Sequence, residues 1–303
     1  MRHFFPLHRH RPTRYDRDMK KQKPWLKLFA VTLSILLLFT ARHQTDAETY
    51  SGVPIISQNT QPGQVVPDQL TVITYNIRGC RDDNGIADPI AVANELKKLD
   101  GDIIALQEVD NGLPRSQFVN QAKMIADQMG MYYAYVPAVN FLIGTYGHAV
   151  LSRYPILSAK AVALPSGKEP RTMLDAVVQV GGQALHVYET HLGLSQSERA
   201  SQFSVLKRTV EASNARHEPF VLLGDFNTPT NNRQYKSLLA DVQAPFFQLS
   251  QPLATLRSTA HPEMIDQIFL SSGIQFHGGF TGDTNRSDHY PVGAILSLPQ
   301  TKT

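Results

Sequence analysis

Apolar residues in this chain fall mostly into short runs, many with a period of two, separated by turn residues. Leu70, Val72, Ile73 and Ile77 predict a first strand ending at Tyr75-Asn76. Asp88-Pro89 then opens a helix, with Asp88 as N-cap and Pro89 in the first helical position. Ile90, Val92, Ala93 and Leu96 give that helix one apolar face. A short buried strand follows from Ile103 to Leu106, ending at Gln107-Glu108. Phe118, Ala122, Ile125, Ala126 and Met129 predict a second helix. Strands are expected at about 132–137, 147–152, 156–164, 172–180 and 184–190, the last two joined by a hairpin turn at Gly181-Gly182. Ser195-Gln196-Ser197-Glu198 is a capping box for a helix running to about Ala215. A strand at 219–223, a short helix near 232–240 and strands near 265–271, 274–280 and 291–297 complete the pattern.

No internal repeat is visible, and no linker divides residues 68–299. Strand and helix alternate early, hairpins fill the middle and strands return late. That order predicts an α/β fold: a four-layer α/β sandwich, two mostly antiparallel β-sheets packed face to face with helices outside. The 303 residues are 42% hydrophobic and 18% charged, enough for a large core. Cys80 is the only cysteine, so no intramolecular disulfide contributes and stability must come from packing.

Charge is uneven along the chain. Residues 1–27 hold nine Lys or Arg against two Asp, and the remainder holds twenty against twenty-four acids, so the formal +3 is the balance of +7 and −4. A slightly acidic domain gives no electrostatic argument for broad nucleic-acid binding. After the basic Lys20-Lys21-Gln22-Lys23, the run from Leu28 to Ala41 has the length of a signal-peptide core, shorter than a full membrane span. Small residues at Thr45 and Ala47 offer a cleavage site after Ala47, and Met19 resembles the start of an ordinary signal peptide. The expected organisation is therefore a basic leader and signal peptide over 1–47, a linker or extended lead-in strand over 48–67, and one domain over 68–299. Secreted or extracytoplasmic placement follows, with an uncleaved N-terminal membrane anchor as the alternative.

Polar residues close many of the apolar strands: Asn76, Glu108, His191, Asp225 with Asn227, Asp266, and Asp288 with His289. One strand-end acid or amide is ordinarily a turn residue. Six strand ends that all carry acid, amide or imidazole, without a Cys or Ser nucleophile motif, point to one polar cleft. Oxygen ligands suit a hard divalent cation, and a carboxylate-oriented imidazole suits proton transfer from water. Arg115 and Arg171 are candidates for a phosphate clamp or, alternatively, for salt bridges. Period-two alternation places Glu189 on the same face as His191.

The chain resembles the endonuclease/exonuclease/phosphatase superfamily, with its deoxyribonuclease I-like fold. The matching segments are Thr74-Tyr75-Asn76-Ile77, Ile104-Ala105-Leu106-Gln107-Glu108, Leu151-Ser152-Arg153-Tyr154-Pro155, Thr190-His191-Leu192, Gly224-Asp225-Phe226-Asn227, Ile265-Asp266-Gln267-Ile268-Phe269 and Ser287-Asp288-His289-Tyr290-Pro291. They occur in family order over about residues 70–293. The resemblance implies a metal-dependent phosphoric ester hydrolase. It implies Glu108 as principal Mg2+ ligand (Mn2+ being the alternative metal), with Asn76 beside it and Asp288 as a further ligand. Asp225 would position or deprotonate the attacking water or bind a second metal, and Asn227 would hold a phosphate oxygen. His289, oriented by Asp266, would hydrogen-bond the phosphate or act as base. His191 would stabilise the phosphorane-like charge or assist the leaving group. Many relatives have an asparagine where this chain has His148, which is either a substitute donor or a space-filling residue.

The family does not choose the substrate. The expected reading is an exported phosphodiesterase acting on a phospholipid headgroup or on nucleic acid, so membrane lipid and nucleic acid are the candidate partners, with no obligate protein partner. The alternatives are a phosphomonoesterase on small sugar or inositol phosphates, which would need a cluster of basic residues around the pocket, and a non-catalytic binding module. Phe246-Phe247 is a candidate membrane-touching wedge or, alternatively, core.

Overall fold

A computed structural model of the protein describes residues 55–56, 68–249, 253–257 and 263–299. Twelve strands are present among them: β1 (Ile55–Ile56), β2 (Leu70–Asn76), β3 (Ile103–Asn111), β4 (Tyr132–Asn140), β5 (Thr145–Ser152), β6 (Ile156–Leu164), β7 (Arg171–Val180), β8 (Gln183–His191), β9 (Phe220–Asp225), β10 (Asp266–Leu270), β11 (Gln275–Thr281) and β12 (Val292–Ser297). Three helices accompany them: α1 (Pro89–Leu99), α2 (Gln121–Met129) and α3 (Gln196–Ala215). Residues 1–47, expected to be a leader and signal peptide, lie outside the described residues. So does the lead-in, except Ile55–Ile56, which pair with Tyr135 and Ala134 on the edge of β4. Among the described residues no helix is long and apolar enough to cross a membrane.

The first sheet has the order β1-β4-β5-β3-β2-β12-β11 and the second β10-β9-β8-β7-β6. Only β2–β3 and β8–β9 run parallel; the other pairs are antiparallel. Alternation sends Leu70 and Val72 of β2, Leu174 and Ala176 of β7, and Val221 and Leu223 of β9 into one core between the sheets. The opposite faces are covered by helices. Val92, Ala93 and Leu96 of α1, with Ala122 and Ile125 of α2, pack on Ile73, Tyr75 and Ile104. Phe203, Leu206 and Val210 of α3 pack on Tyr188, Phe220 and Leu222. Each buried Val, Leu, Ile or Phe among them contributes about 1.5–3 kcal/mol. The result is the expected four-layer sandwich.

Several boundaries differ from the pattern. β3 continues past Glu108 to Asn111, with a register shift against β5 between Leu106 and Val109. That bulge breaks the alternation that marks a strand. α2 begins at Gln121, capped by Asn120, and excludes Phe118, whose backbone is left-handed with φ 60°. The expected helix near 232–240 is a single 3-10 turn over Arg233–Ser237. Phe246 is buried against Phe276, and Phe247 packs on Tyr235 and Phe269, so this pair belongs to the interior and forms no wedge. Gly224 is required where it stands: φ is 146°, and a Cβ there would lie 1.9 Å from the Thr190 carbonyl oxygen.

Candidate active site

The filling between the sheets changes from apolar to polar at one end. In the second sheet Leu174, Glu189, Leu223 and Ile268 lie side by side across four strands. Two residues nearer the cleft, β8, β9 and β10 present His191, Asp225 and Asp266 in the same way. In the first sheet Asn76 pairs with Gln107, and His148 follows Gly147, the partner of Val109. The two parallel pairs matter here: β2 leaves β3 at Asn76 and Gln107, β8 and β9 end together at His191 and Asp225, and each pair delivers adjacent polar residues to one mouth.

Glu108 occupies the β3 bulge in a left-handed conformation, φ 59°. Such backbone is uncommon for a side-chain-bearing residue and is held only by its surroundings. The Asn76 amide donates to both Glu108 Oε1 and Asp225 Oδ2, each at 3.1 Å. Asp225 is buried and sits between two imidazoles: His191 Nε2 at 3.4 Å and His289 Nε2 at 3.7 Å. His289 Nδ1 meets Asp266 Oδ2 at 2.9 Å. Asn227, with φ 47°, donates its backbone N–H to Asp225 Oδ1 at 2.8 Å and its side-chain amide to the Leu192 carbonyl at 2.9 Å.

Burial and the neighbouring Asp266 charge push the Asp225 carboxyl up to about 7, against the pull of His289 and the two hydrogen bonds from Asn227 and Asn76. Burial works against charge on His289, but Asp266, Asp225 and Asp288 outweigh it and hold the imidazolium to about 10. His191 is held well below its usual value, first by burial, then by the positive fields of Arg171, His148 and His289. One buried imidazole is thus charged at neutral pH and its neighbour is not.

The structure brings Asn76, Glu108, His191, Asp225, Asp266 and His289 together. Asp288 stands at the margin: its side chain is 53% exposed and its carboxylate faces Arg78 Nε at 3.8 Å and the Ser287 hydroxyl at 3.4 Å. Arg115 grips Asp110 with two hydrogen bonds, 2.9 and 2.6 Å, and lies over the Tyr146 ring at 5.3 Å. Arg171 is buried and pairs with Glu169 at 3.1 Å. Both guanidinium groups therefore have acidic partners within the chain. His148 Nδ1 lies 3.1 Å from Glu189 Oε1, and Gln107 donates to the same oxygen at 3.0 Å. Gln107 and Tyr146 were not singled out from sequence. Alternation from His148 places Tyr146 on the site face, so that signal was present.

Glu108 offers a hard cation a carboxylate oxygen; Asn76 spends its NH2 on Glu108 and Asp225, and its Oδ1, which accepts from the Arg78 N–H at 3.1 Å, keeps a second lone pair for such an ion. Donor atoms of Asp225, Asp266 and His289 also lie within 4.8 Å of one another. There, however, Asp266 Oδ2 and His289 Nδ1 are already spent on each other, so the trio reads better as a hydrogen-bonded relay.

A family model described as "Endonuclease/Exonuclease/phosphatase family" matches residues 73–289, a span that contains every one of these groups. The chain belongs to the endonuclease/exonuclease/phosphatase family. Its fold is that of this family's phosphoesterases, two mixed sheets in an α/β sandwich. The chain is 32% identical over 147 residues to the uncharacterized protein YbhP of Escherichia coli K12, a stretch that is 44% of this chain and 56% of that relative. An endonuclease/exonuclease/phosphatase of Beutenbergia cavernae superposes with a TM-score of 0.65 at 22% identity, over 77% of this chain and 72% of that one. The mannosyl-6-phosphatase of Bacteroides thetaiotaomicron superposes with a TM-score of 0.60 at 18% identity, over 76% of this chain and all of that one.

Proposed function

We propose that this family member is an exported, Mg2+-dependent phosphodiesterase acting on phospholipid headgroups. The observation that carries hydrolysis is one buried carboxylate, Asp225, set between a charged and a neutral imidazole. A group with a pKa of about 7 is suited to general-base work at neutral pH, so Asp225 takes the proton of the attacking water. The water oxygen bonds to phosphorus as the bond to the leaving oxygen breaks. His289, kept charged by Asp266, donates a hydrogen bond to a non-bridging oxygen; the neutral His191 donates one to the leaving oxygen, which takes its proton from solvent while Asp225 returns the proton it accepted. Glu108, with Asn76 beside it and Asp288 at the margin, would hold the Mg2+, which when bound neutralises phosphate charge.

The lipid class is supported by the loop between β4 and β5. β3 and β5 continue about 10 Å past Glu108, three residues at the usual rise, and carry the hairpin beyond the site. Its tip is Phe141-Leu142-Ile143, with Leu142 81% exposed. Phe118, 63% exposed, follows β3, and Leu194, 74% exposed, follows His191. Such apolar loops around a phosphoester site suit the headgroup layer of a bilayer. The net −4 of the chain beyond residue 27 argues against tracking nucleic acid. Export rests on the Leu28–Ala41 run and its basic flank.

The monoesterase reading has one observation in its favour: Arg171, His148 and His289 all act on His191, a basic cluster not legible in sequence. Phosphocholine release from liposomes, plasmid nicking and phosphate release from mannose 6-phosphate, each with Mg2+ and with His289→Ala as blank, decide among these. The proposal expects the first alone. Release from mannose 6-phosphate alone would move the assignment to a phosphomonoesterase.

A further inference from the structure

We infer that Glu189 and His148 form a second carboxylate–imidazole dyad of the active site, in which His148 Nε2 binds a phosphate oxygen of the substrate and Glu189 positions the ring. The inference rests on the phosphoesterase reading of this cleft and adds a residue pair to it.

Glu189 is out of place by the logic of its own tier. Its lateral neighbours are Leu174 and Leu223, with Ile268 beyond, and all are buried apolar residues of the inter-sheet core. A fully buried carboxylate there loses its hydration, and burial is the main cause of its raised pKa. Its Oε1 accepts from Gln107 Nε2 at 3.0 Å and is met by His148 Nδ1 at 3.1 Å. Those contacts cross from the second sheet to the first and fix the orientation of the His148 ring.

The other side of that ring is unused. His148 is 2% exposed, and its Nε2 is buried without a hydrogen-bond partner, as is His191 Nδ1. The two rings stand edge to face with centroids 6.5 Å apart. An orphaned buried donor or acceptor costs about 1–3 kcal/mol. A polar tie between the sheets needs only the Glu189–Gln107 bond and gains nothing from an imidazole with an empty outer nitrogen. A ligand oxygen arriving beside His191 supplies the missing partner. With Nδ1 turned to Glu189, Nε2 is the ring nitrogen left to hydrogen-bond a phosphate oxygen. The arrangement repeats that of Asp266 with His289 on the other flank of His191 and Asp225.

The test uses the full Mg2+-loaded protein and inorganic phosphate as probe, followed by calorimetric titration, alongside kcat and KM for bis(p-nitrophenyl) phosphate. His148→Ala is expected to weaken phosphate binding and raise KM by about tenfold or more, the loss of one charge-assisted hydrogen bond. Glu189→Gln is expected to give a smaller change in the same direction. His148→Asn, whose amide also donates, is expected to recover part of the binding; it carries the test if the alanine variant does not fold. Equal phosphate binding by wild type and the folded His148 variants, or none by wild type, overturns the inference. Phosphate binding that depends on His148 in a protein inactive on lipid would instead count against the substrate assignment alone.

Discussion

Asp266 and His289 meet at 2.9 Å through Oδ2 and Nδ1, although one belongs to the second sheet and the other to a loop that leads into the first. Asp266 begins β10, and His289 closes the loop before β12. The contact turns Nε2 of His289 toward Asp225. Removing the imidazole by His289→Ala is expected to lower kcat on the order of 10²–10⁴-fold. Thermal melting within a few degrees of wild type would show that the fold persists; unchanged turnover would remove His289 from the chemistry.

His191 gives a pH prediction. Its folded pKa lies well below the usual 6.5, because burial and three basic neighbours disfavour the proton. The unfolded chain therefore binds a proton near pH 6.5 that the folded chain refuses. Stability from this group is intact above about pH 6.5 and is lost as pH falls below it. His191→Gln is expected to resist acid better than wild type, the gap in melting temperature widening from pH 7 to pH 5 in chelator. A constant gap would contradict this.

Glu108 tests the metal. Mg2+ is expected to raise the melting temperature of the wild-type protein by mass action, and EDTA to reverse the rise. Glu108→Gln keeps shape and bulge but loses the charge, so its melting temperature is expected to be insensitive to Mg2+ at the same concentration. An equal Mg2+ response in both proteins would place the cation elsewhere.

Gly224 tests the docking of β8 on β9. A methyl group there would sit 1.9 Å from the Thr190 carbonyl oxygen, backbone that cannot swing away as a side chain could. Gly224→Ala is expected to cost roughly 2–4 kcal/mol, as overpacking and left-handed strain combine. Denaturant unfolding reads the change directly. A loss below about 0.5 kcal/mol would mean that the two strands separate without penalty.

Much of this architecture was legible because period-two alternation survives in β2, β5, β7 and β8, whose inner residues are apolar until the cleft begins. Alternation also tells which face a residue occupies, which is why Glu189 could be placed with His191. It does not tell what lies across the gap. Gln107, His148 and Glu189 come from three strands in two sheets, and no spacing within one strand announces that they share an oxygen. β3 looks short in the sequence because the Glu108 bulge interrupts its period. Arg115 and Asp110 are five residues apart, close enough to pair locally, as they do.

The second sheet is drawn from one continuous stretch, Ile156 to Leu270, whereas the first is completed only when β12 inserts between β2 and β11. His289 arrives with that final insertion. Asp225 and Asp266 are paired within the second sheet, and neither is supplied by the segment that brings the imidazole. The histidine of the site thus depends on the segment that leads into β12, and a chain cut ahead of it keeps Asp225 and Asp266 and loses the imidazole that meets them.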